Sequence, residues 1–242
     1  MATLKKIDIK KGIQFAREVN LFDELNNIYN NLPSGDCTGC GKCCMESVGT
    51  NLIEFLNIYN YLENNKALRD KCLNKVIDYY FLEYIKKSSC PFKDENNKCL
   101  IYQVRPLNCR IYGHWTKEDY NLNLININNK NNEYSRLIKD EYGFEINEEV
   151  VNFKINYCED FKPENRYLKK SERLEFADSL MILDSKLYSS GVIDIEFKDR
   201  GIVEYFIESL LFENVAYNIK INVTKDEMVR NIALKRLKSI IL

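Results

Sequence analysis

Four of the nine cysteines stand within eight residues, in Cys37-Thr-Gly-Cys40-Gly-Lys-Cys43-Cys44, where random placement would put roughly 0.3 of one. Two C-x₂-C steps suit a metal, because a tight turn brings sulfurs three residues apart onto one ion. Gly39 and Gly41 lack the side chain that would crowd that turn, and their N–H groups can point at thiolate sulfur. Cys43 and Cys44 are adjacent, and neighbouring side chains on extended backbone point to opposite sides, so this pair suits two centres better than one ion. A second set, Cys90, Cys99 and Cys109, lies in the segment from Cys90-Pro-Phe to Arg105-Pro-Leu-Asn-Cys109-Arg110. With Cys158 the candidate ligands number eight, twice what one tetrahedral Zn²⁺ or one [4Fe–4S] cluster takes. The ninth, Cys72, falls on an apolar stripe with Leu68 and Val76 and reads as a buried, inert thiol.

Thiolates gathered on one metal leave net negative charge that calls for cations or N–H donors nearby. Lys42, Lys98, Arg105 and Arg110 are at hand, and Arg110, directly beside Cys109, is the best placed. The two lysines read equally well as solvated surface charges. His114, the single histidine, has three open readings: a ligand, a proton donor beside the site, or a packing residue next to Trp115. Tyr102, Tyr112 and Tyr120 surround the same stretch.

Composition narrows the class. Lys and Arg number 35 against 36 Asp and Glu, a formal charge of −1, and no basic stripe with interleaved aromatics is present. A nucleic-acid partner is not expected. The first eleven residues carry charges every few positions, no apolar run approaches a membrane span, and Ser239-Ile-Ile-Leu242 has no cysteine to prenylate. The expectation is a cytoplasmic protein without a membrane partner, where clustered cysteines bind metal or do redox chemistry rather than form disulfides.

The elements that must position these thiols are mainly helical. Apolar residues at three- and four-residue steps predict one helix over 11–32, ended by Pro33-Ser34-Gly35-Asp36, and two more over 52–62 and 68–79. From Ser88 to Gly113 no helical period survives, so loops and short extended pieces are expected. The asparagine-rich 122–132 reads as an exposed excursion or hairpin tip, and strict alternation over 151–157 predicts a strand delivering Cys158. Helices follow over 174–187, before Gly191, and over 202–211, with a short strand over 193–197 between them. Thr224-Lys-Asp-Glu227 is a capping box opening a last helix, with Val223 and Met228 as its hydrophobic staple. The fold class is mainly α with a loop-rich, cysteine-rich metal-binding middle and a few short strands. Residues 1–160 form the cysteine-bearing domain and 161–242 a helical cap that could belong to the same domain.

The motifs Cys37-x₂-Cys40-x₂-Cys43-Cys44, Cys90-Pro-Phe, Cys99-x-Ile-Tyr and Arg105-Pro-x-x-Cys109-Arg-x-Tyr-Gly together resemble the YkgJ-like CxxCxxCC cysteine-cluster family of zinc- or iron-chelating domains, over roughly residues 37–113. The resemblance implies metal or iron–sulfur binding by Cys37, Cys40, Cys43, Cys44, Cys90, Cys99 and Cys109. Cys158 is added on charge and number. More distantly the core is similar to that of flagellin lysine N-methylases, but the Arg-Pro and Cys-Arg-x-Tyr-Gly signature favours the plainer branch, and no G-x-G-x-x-G loop is present. The C-x₂-C-x₂-C turn reproduces the first three ligands of a bacterial ferredoxin run, with an adjacent cysteine in place of the distant fourth. The expected function is chelation of one or two centres, [4Fe–4S] ahead of Zn²⁺, with a redox role and a redox partner as one reading. The alternatives are an enzyme acting on a protein or peptide substrate and a structural zinc module.

Overall fold

The computed structural model describes residues 3–241, so Met1, Ala2 and Leu242, parts of the terminal segments read for targeting, lie outside it. Mainly α holds: 62 % of the chain is helical, beside one two-stranded sheet. The helices are α1 (Lys6–Glu18), α2 (Leu21–Asn30), α3 (Leu52–Glu63), α4 (Lys66–Leu82), α5 (Leu107–Ile111), α6 (Lys117–Tyr142), α7 (Glu148–Val151), α8 (Lys170–Ser189), α9 (Ile202–Leu210), α10 (Glu213–Lys225) and α11 (Glu227–Ile241). Among the described residues no helix is long and apolar enough to cross a membrane.

The core explains the order. α3 is apolar nearly all round and buries Leu52, Ile53, Phe55, Leu56, Ile58 and Leu62, so it takes neighbours on several sides: α1 and α2, α8, and α4. Phe55 stacks on Tyr205 of α9 with ring centroids 4.8 Å apart, and Phe206 meets it edge-on at 5.1 Å. One apolar cluster thus runs through helices from both sides of residue 160. The start of α3 is fixed twice. Asn51 and Glu54 form a capping box, and Asp184, reaching over from α8, accepts the N–H groups of Leu52 and Ile53 at 2.8 Å each.

Several local expectations are corrected. The single helix over 11–32 breaks in two because Asn20 takes the left-handed conformation, φ 60°. The asparagine-rich excursion is the middle of α6, a 26-residue helix capped at one end by Thr116 accepting from Asp119 N and at the other by Gly143. The strand over 151–157 does not form: Val151 ends α7, Asn152 turns, and 153–157 run without a ladder, the Ile155 and Asn156 carbonyls being taken by the hydroxyls of Tyr120 and Tyr112 at 2.6 and 2.8 Å. The strand over 193–197 is likewise irregular. Residues 107–111, expected as loop, form α5, flanked by 3₁₀ turns at Tyr102–Val104 and Tyr112–His114. Thr224 is not a cap: it lies inside α10 and donates to Lys220 O, while Asp226 accepts from Met228 N and Val229 N to open α11. Met228 is exposed, so no staple forms with buried Val223.

Candidate metal centre

The eight candidate cysteines come from three loops and the short helix α5, and backbone contacts tie these together. β1 (Gly35–Asp36), immediately before Cys37, pairs antiparallel with β2 (Lys162–Pro163), just after Cys158, in the register Gly35 with Pro163 and Asp36 with Lys162. Glu164 N adds a bond to Ser34 O at 3.0 Å. This ladder brings Cys158 back to the first motif across more than a hundred residues of chain. Phe161, one residue before β2, lies so close to Gly35 and Gly113 that a Cβ on Gly35 would lie 2.2 Å from its ring and one on Gly113 2.5 Å, space that only glycine leaves open.

The second set is tied to the same motif. Cys90 N–H donates to the Cys44 carbonyl at 2.9 Å, and an isolated antiparallel bridge between Lys93 and Cys99 folds the Cys90–Cys99 segment into a tight loop closed by Asp94. Phe92, 1 % exposed, drives into the core against Phe206 and anchors this loop. Gly41 lies against it with φ +68°, and a Cβ there would come 3.0 Å from Asn97 Cβ. Cys109 rides on α5, which Leu107 and Ile111 bury and whose first N–H, from Leu107, is held by Glu54 Oε1 at 2.6 Å.

All nine cysteines are free thiols. Cys43 and Cys44 sit in a turn, so the extended-backbone premise of opposite-facing side chains does not apply here, and Cys44 is the leading cause that raises the Cys43 thiol, ahead of burial. Burial and neighbouring thiols push titration upward at Cys43, Cys72, Cys90, Cys99, Cys109 and Cys158. Cys90 rises to about 12 by dehydration first, with Cys99 and Cys72 adding to it. Cys99 is raised by burial and by Cys43, and Cys158 by burial and then by Cys43, Cys40 and Cys37. Cys109 is exposed as a residue, yet dehydration first, then Cys90, Cys99 and Cys43, holds its thiol well above the ordinary range. Cys72, wholly buried in the core, is pushed to about 12 chiefly by burial.

Among the described residues no three His, Cys, Asp or Glu donors already converge where a metal ion could sit. The neighbourhood nevertheless suits a thiolate-bound metal. Arg105 Nε is buried without a hydrogen-bond partner, and its guanidinium charge acts on Cys43 and Cys99. A buried guanidinium N–H without an acceptor is costly, and an anionic thiolate–metal group beside it would supply one. Its other contact is the face of Tyr102, 3.9 Å away. Arg110 is placed differently from the expected support beside Cys109. It donates to Arg105 O at 2.8 Å and Gln103 O at 2.7 Å and lies 3.9 Å over the Tyr29 ring, so it holds the backbone that carries Arg105.

Lys42 pairs at 3.0 Å with Asp160, an exposed link between the first motif and the Cys158 segment, and Lys98 is exposed at the Asp94 turn. His114 is 3 % exposed, its ring edge-on to Phe161 at 4.5 Å and its Nδ1 unpartnered. Burial lowers its titration, keeping the imidazole neutral, and it packs beneath the Cys158 segment. Sequence reasoning missed Glu54, although Asn51-Leu-Ile-Glu54 has the spacing of a cap ahead of an apolar run. It also missed the Phe161 wedge, which no local pattern announces.

Searches of curated proteins and of solved structures return no match. Residues 36–139, the segment bearing Cys37 to Cys109, match the family model described as "CxxCxxCC: Putative zinc- or iron-chelating domain", and Cys158 lies beyond the matched span.

Proposed function

We propose that the protein chelates iron as a cysteine-ligated iron–sulfur centre of the [4Fe–4S] type and exchanges electrons with a protein partner. The observation that carries this reading is Arg105 Nε, buried without an acceptor while its charge bears on Cys43 and Cys99. A bound iron–sulfur cluster supplies one-electron exchange. The chain's own residues prepare for it. Each ligating thiol must shed its proton, and the Arg105 charge favours the thiolate at Cys43 and Cys99 against the burial that opposes it. Arg110 keeps Arg105 in place by holding its carbonyl, and Tyr102 covers the guanidinium face. Cys37 and Cys109 remain accessible, which leaves the thiols open to metal delivery.

The donor set is thiolate only, His114 being packed against Phe161, and it suits Zn²⁺ as well as iron; what favours iron–sulfur is that Cys37-x₂-Cys40-x₂-Cys43 reproduces the first three ligands of a bacterial ferredoxin run. Purification without oxygen, followed by iron and acid-labile sulfide analysis and a visible spectrum, tests the reading. Iron and acid-labile sulfide in equal amounts, in a coloured protein with broad visible absorption, are expected. A colourless protein holding only zinc overturns it in favour of a structural zinc module.

A further inference from the structure

The chain that leaves the first cysteine motif walls a cavity with no part in holding thiols. It is half-open, about 320 Å³ in volume, and bounded by residues of α4, α6, α7 and α9. That size falls within the range of small-molecule sites. Glu46 and Ser47, just after Cys44, and Ser88, just before Cys90, line the cysteine side, where the Cys90 N–H bond to Cys44 O joins the two segments. Ile127 of α6, Ile146, and Val150 and Val151 of α7 make part of the lining apolar, and Tyr79, Tyr84 and Tyr134 make part of it aromatic. Glu204 of α9 completes it. Because Ile146, Val150, Val151 and Glu204 lie beyond residues 36–139, the cavity belongs to the whole chain rather than to the matched segment.

The carboxylates of this lining differ in their partners. Glu46 pairs with Lys87 at 3.3 Å, and Glu83 pairs with Lys220, which also lies over the rings of Tyr80 and Tyr84. Lys86 is exposed and hydrated. Glu204 is half-buried, makes no ion pair among the described residues, and takes its side-chain hydrogen bond from the Ser47 hydroxyl at 3.0 Å. Burial pushes its carboxyl upward, Glu83 adds to that, and the Lys220 charge and Ser47 oppose it. A half-buried carboxylate without a counter-ion is stabilised by a cation that comes to it. We infer that the cavity binds a small organic amine as its ammonium ion, with the charged end at Glu204 and an apolar or aromatic body against Ile127, Ile146 and Val150. An anion would meet Glu204 uncompensated, and a divalent metal would want several oxygen ligands where the other two carboxylates are already paired. Tyrosine rings suit an ammonium ion as well as an apolar body.

Amine binding stands independently of chelation, and three probes of one shape test it on the full-length protein: phenethylammonium, 2-phenylethanol and phenylacetate. Calorimetry is run at about pH 8, where an alkylamine keeps its proton and a carboxylate is without one. Phenethylammonium is expected to saturate one site and to bind about tenfold or more tightly than the alcohol or the anion. In Glu204→Gln, which keeps an acceptor for Ser47, that advantage should vanish while the alcohol binds as before. Absence of saturable ammonium binding, equal affinity for ammonium and alcohol, or an advantage that survives Glu204→Gln overturns the assignment. Circular dichroism checks that the variant folds. The wild type gives a reading free of mutation: with isoleucine methyls labelled, nuclear Overhauser contacts from the phenyl ring of bound phenethylammonium to Ile127 and Ile146 are expected. Contacts to other isoleucines alone, or to none, place the amine elsewhere and overturn the inference.

Discussion

Glu54, 1 % exposed within α3, accepts the backbone N–H of Leu107 at 2.6 Å through the same oxygen that receives the Tyr29 hydroxyl at 2.6 Å. One carboxylate thereby joins the start of α3, the end of α2 and the start of α5, the short helix bearing Cys109. Tyr29 in turn carries Arg110 on its ring, and Arg110 holds the Arg105 carbonyl. The start of the helix that carries Cys109 is therefore fixed from inside the hydrophobic core.

Replacing Glu54 with Ala strands two buried donors, Tyr29 OH and Leu107 N–H, at roughly 1–3 kcal/mol each. Urea unfolding of the metal-free protein is expected to show a loss of about 3 kcal/mol. Glu54→Gln, which keeps an acceptor oxygen, should lose less. Equal losses in the two variants would contradict the bonding assigned to Oε1.

Arg105→Leu removes the charge acting on Cys43 and Cys99 while leaving every described side-chain hydrogen bond intact. Metal retention against a chelator should fall about tenfold or more, equivalent to roughly 1.4 kcal/mol, with an unchanged metal-free unfolding curve. Arg105→Lys should retain part of the affinity, since it restores charge without the fork of donors. Unaltered retention in Arg105→Leu would remove Arg105 from the site.

The thiols of Cys43, Cys90, Cys99, Cys109 and Cys158 all titrate above their ordinary range, with burial a cause at each. Near pH 7 they are protonated, and metal must displace those protons. Affinity should climb between pH 6 and 9, by up to about tenfold per pH unit for each proton released. Calorimetry in buffers of different ionisation enthalpy counts them, and a pH-independent affinity would contradict the site.

Asp184 is pushed up from 3.8 to about 6 by burial, which outweighs the three N–H bonds it accepts from Leu52, Ile53 and Asn51. The native state then binds its proton more tightly than the unfolded chain does. The resulting stability is fully present below pH 4 and is lost as pH rises through about 6. Relative to Asp184→Asn, the wild type should lose on the order of 2 kcal/mol between pH 4 and 7. A wild-type advantage that grows with pH would reverse the assignment.

The cysteine motifs and most helices were legible because each is a local pattern: sulfur spacing, or apolar residues at helical steps. What failed depended on distant partners. Alternation from Val151 to Tyr157 looks like a strand, but hydroxyls of Tyr112 and Tyr120 take the carbonyls that a ladder would need. Asparagines discourage a helix at 122–132, yet α6 is capped at both ends and its far part is anchored where buried Ile138 packs with Tyr84 and Ile146. Arg110 looked like the site's cation because it adjoins Cys109 in sequence. A helical turn and the Tyr29 ring instead send it to the backbone, and Arg105, four residues before Cys109, lies nearer the thiols' charge.

The ladder of Gly35–Asp36 with Lys162–Pro163 also sets a timetable. During synthesis the strand before Cys37 leaves the ribosome long before its partner, and at roughly 5–20 residues per second that interval lasts from several seconds to nearly half a minute. For that time the first cysteines of the nascent chain are without the strand that will enclose them, and the phenyl ring of Phe161 is still unmade. Until β2 and Phe161 follow, that first motif has no folded partner to hold its thiols together.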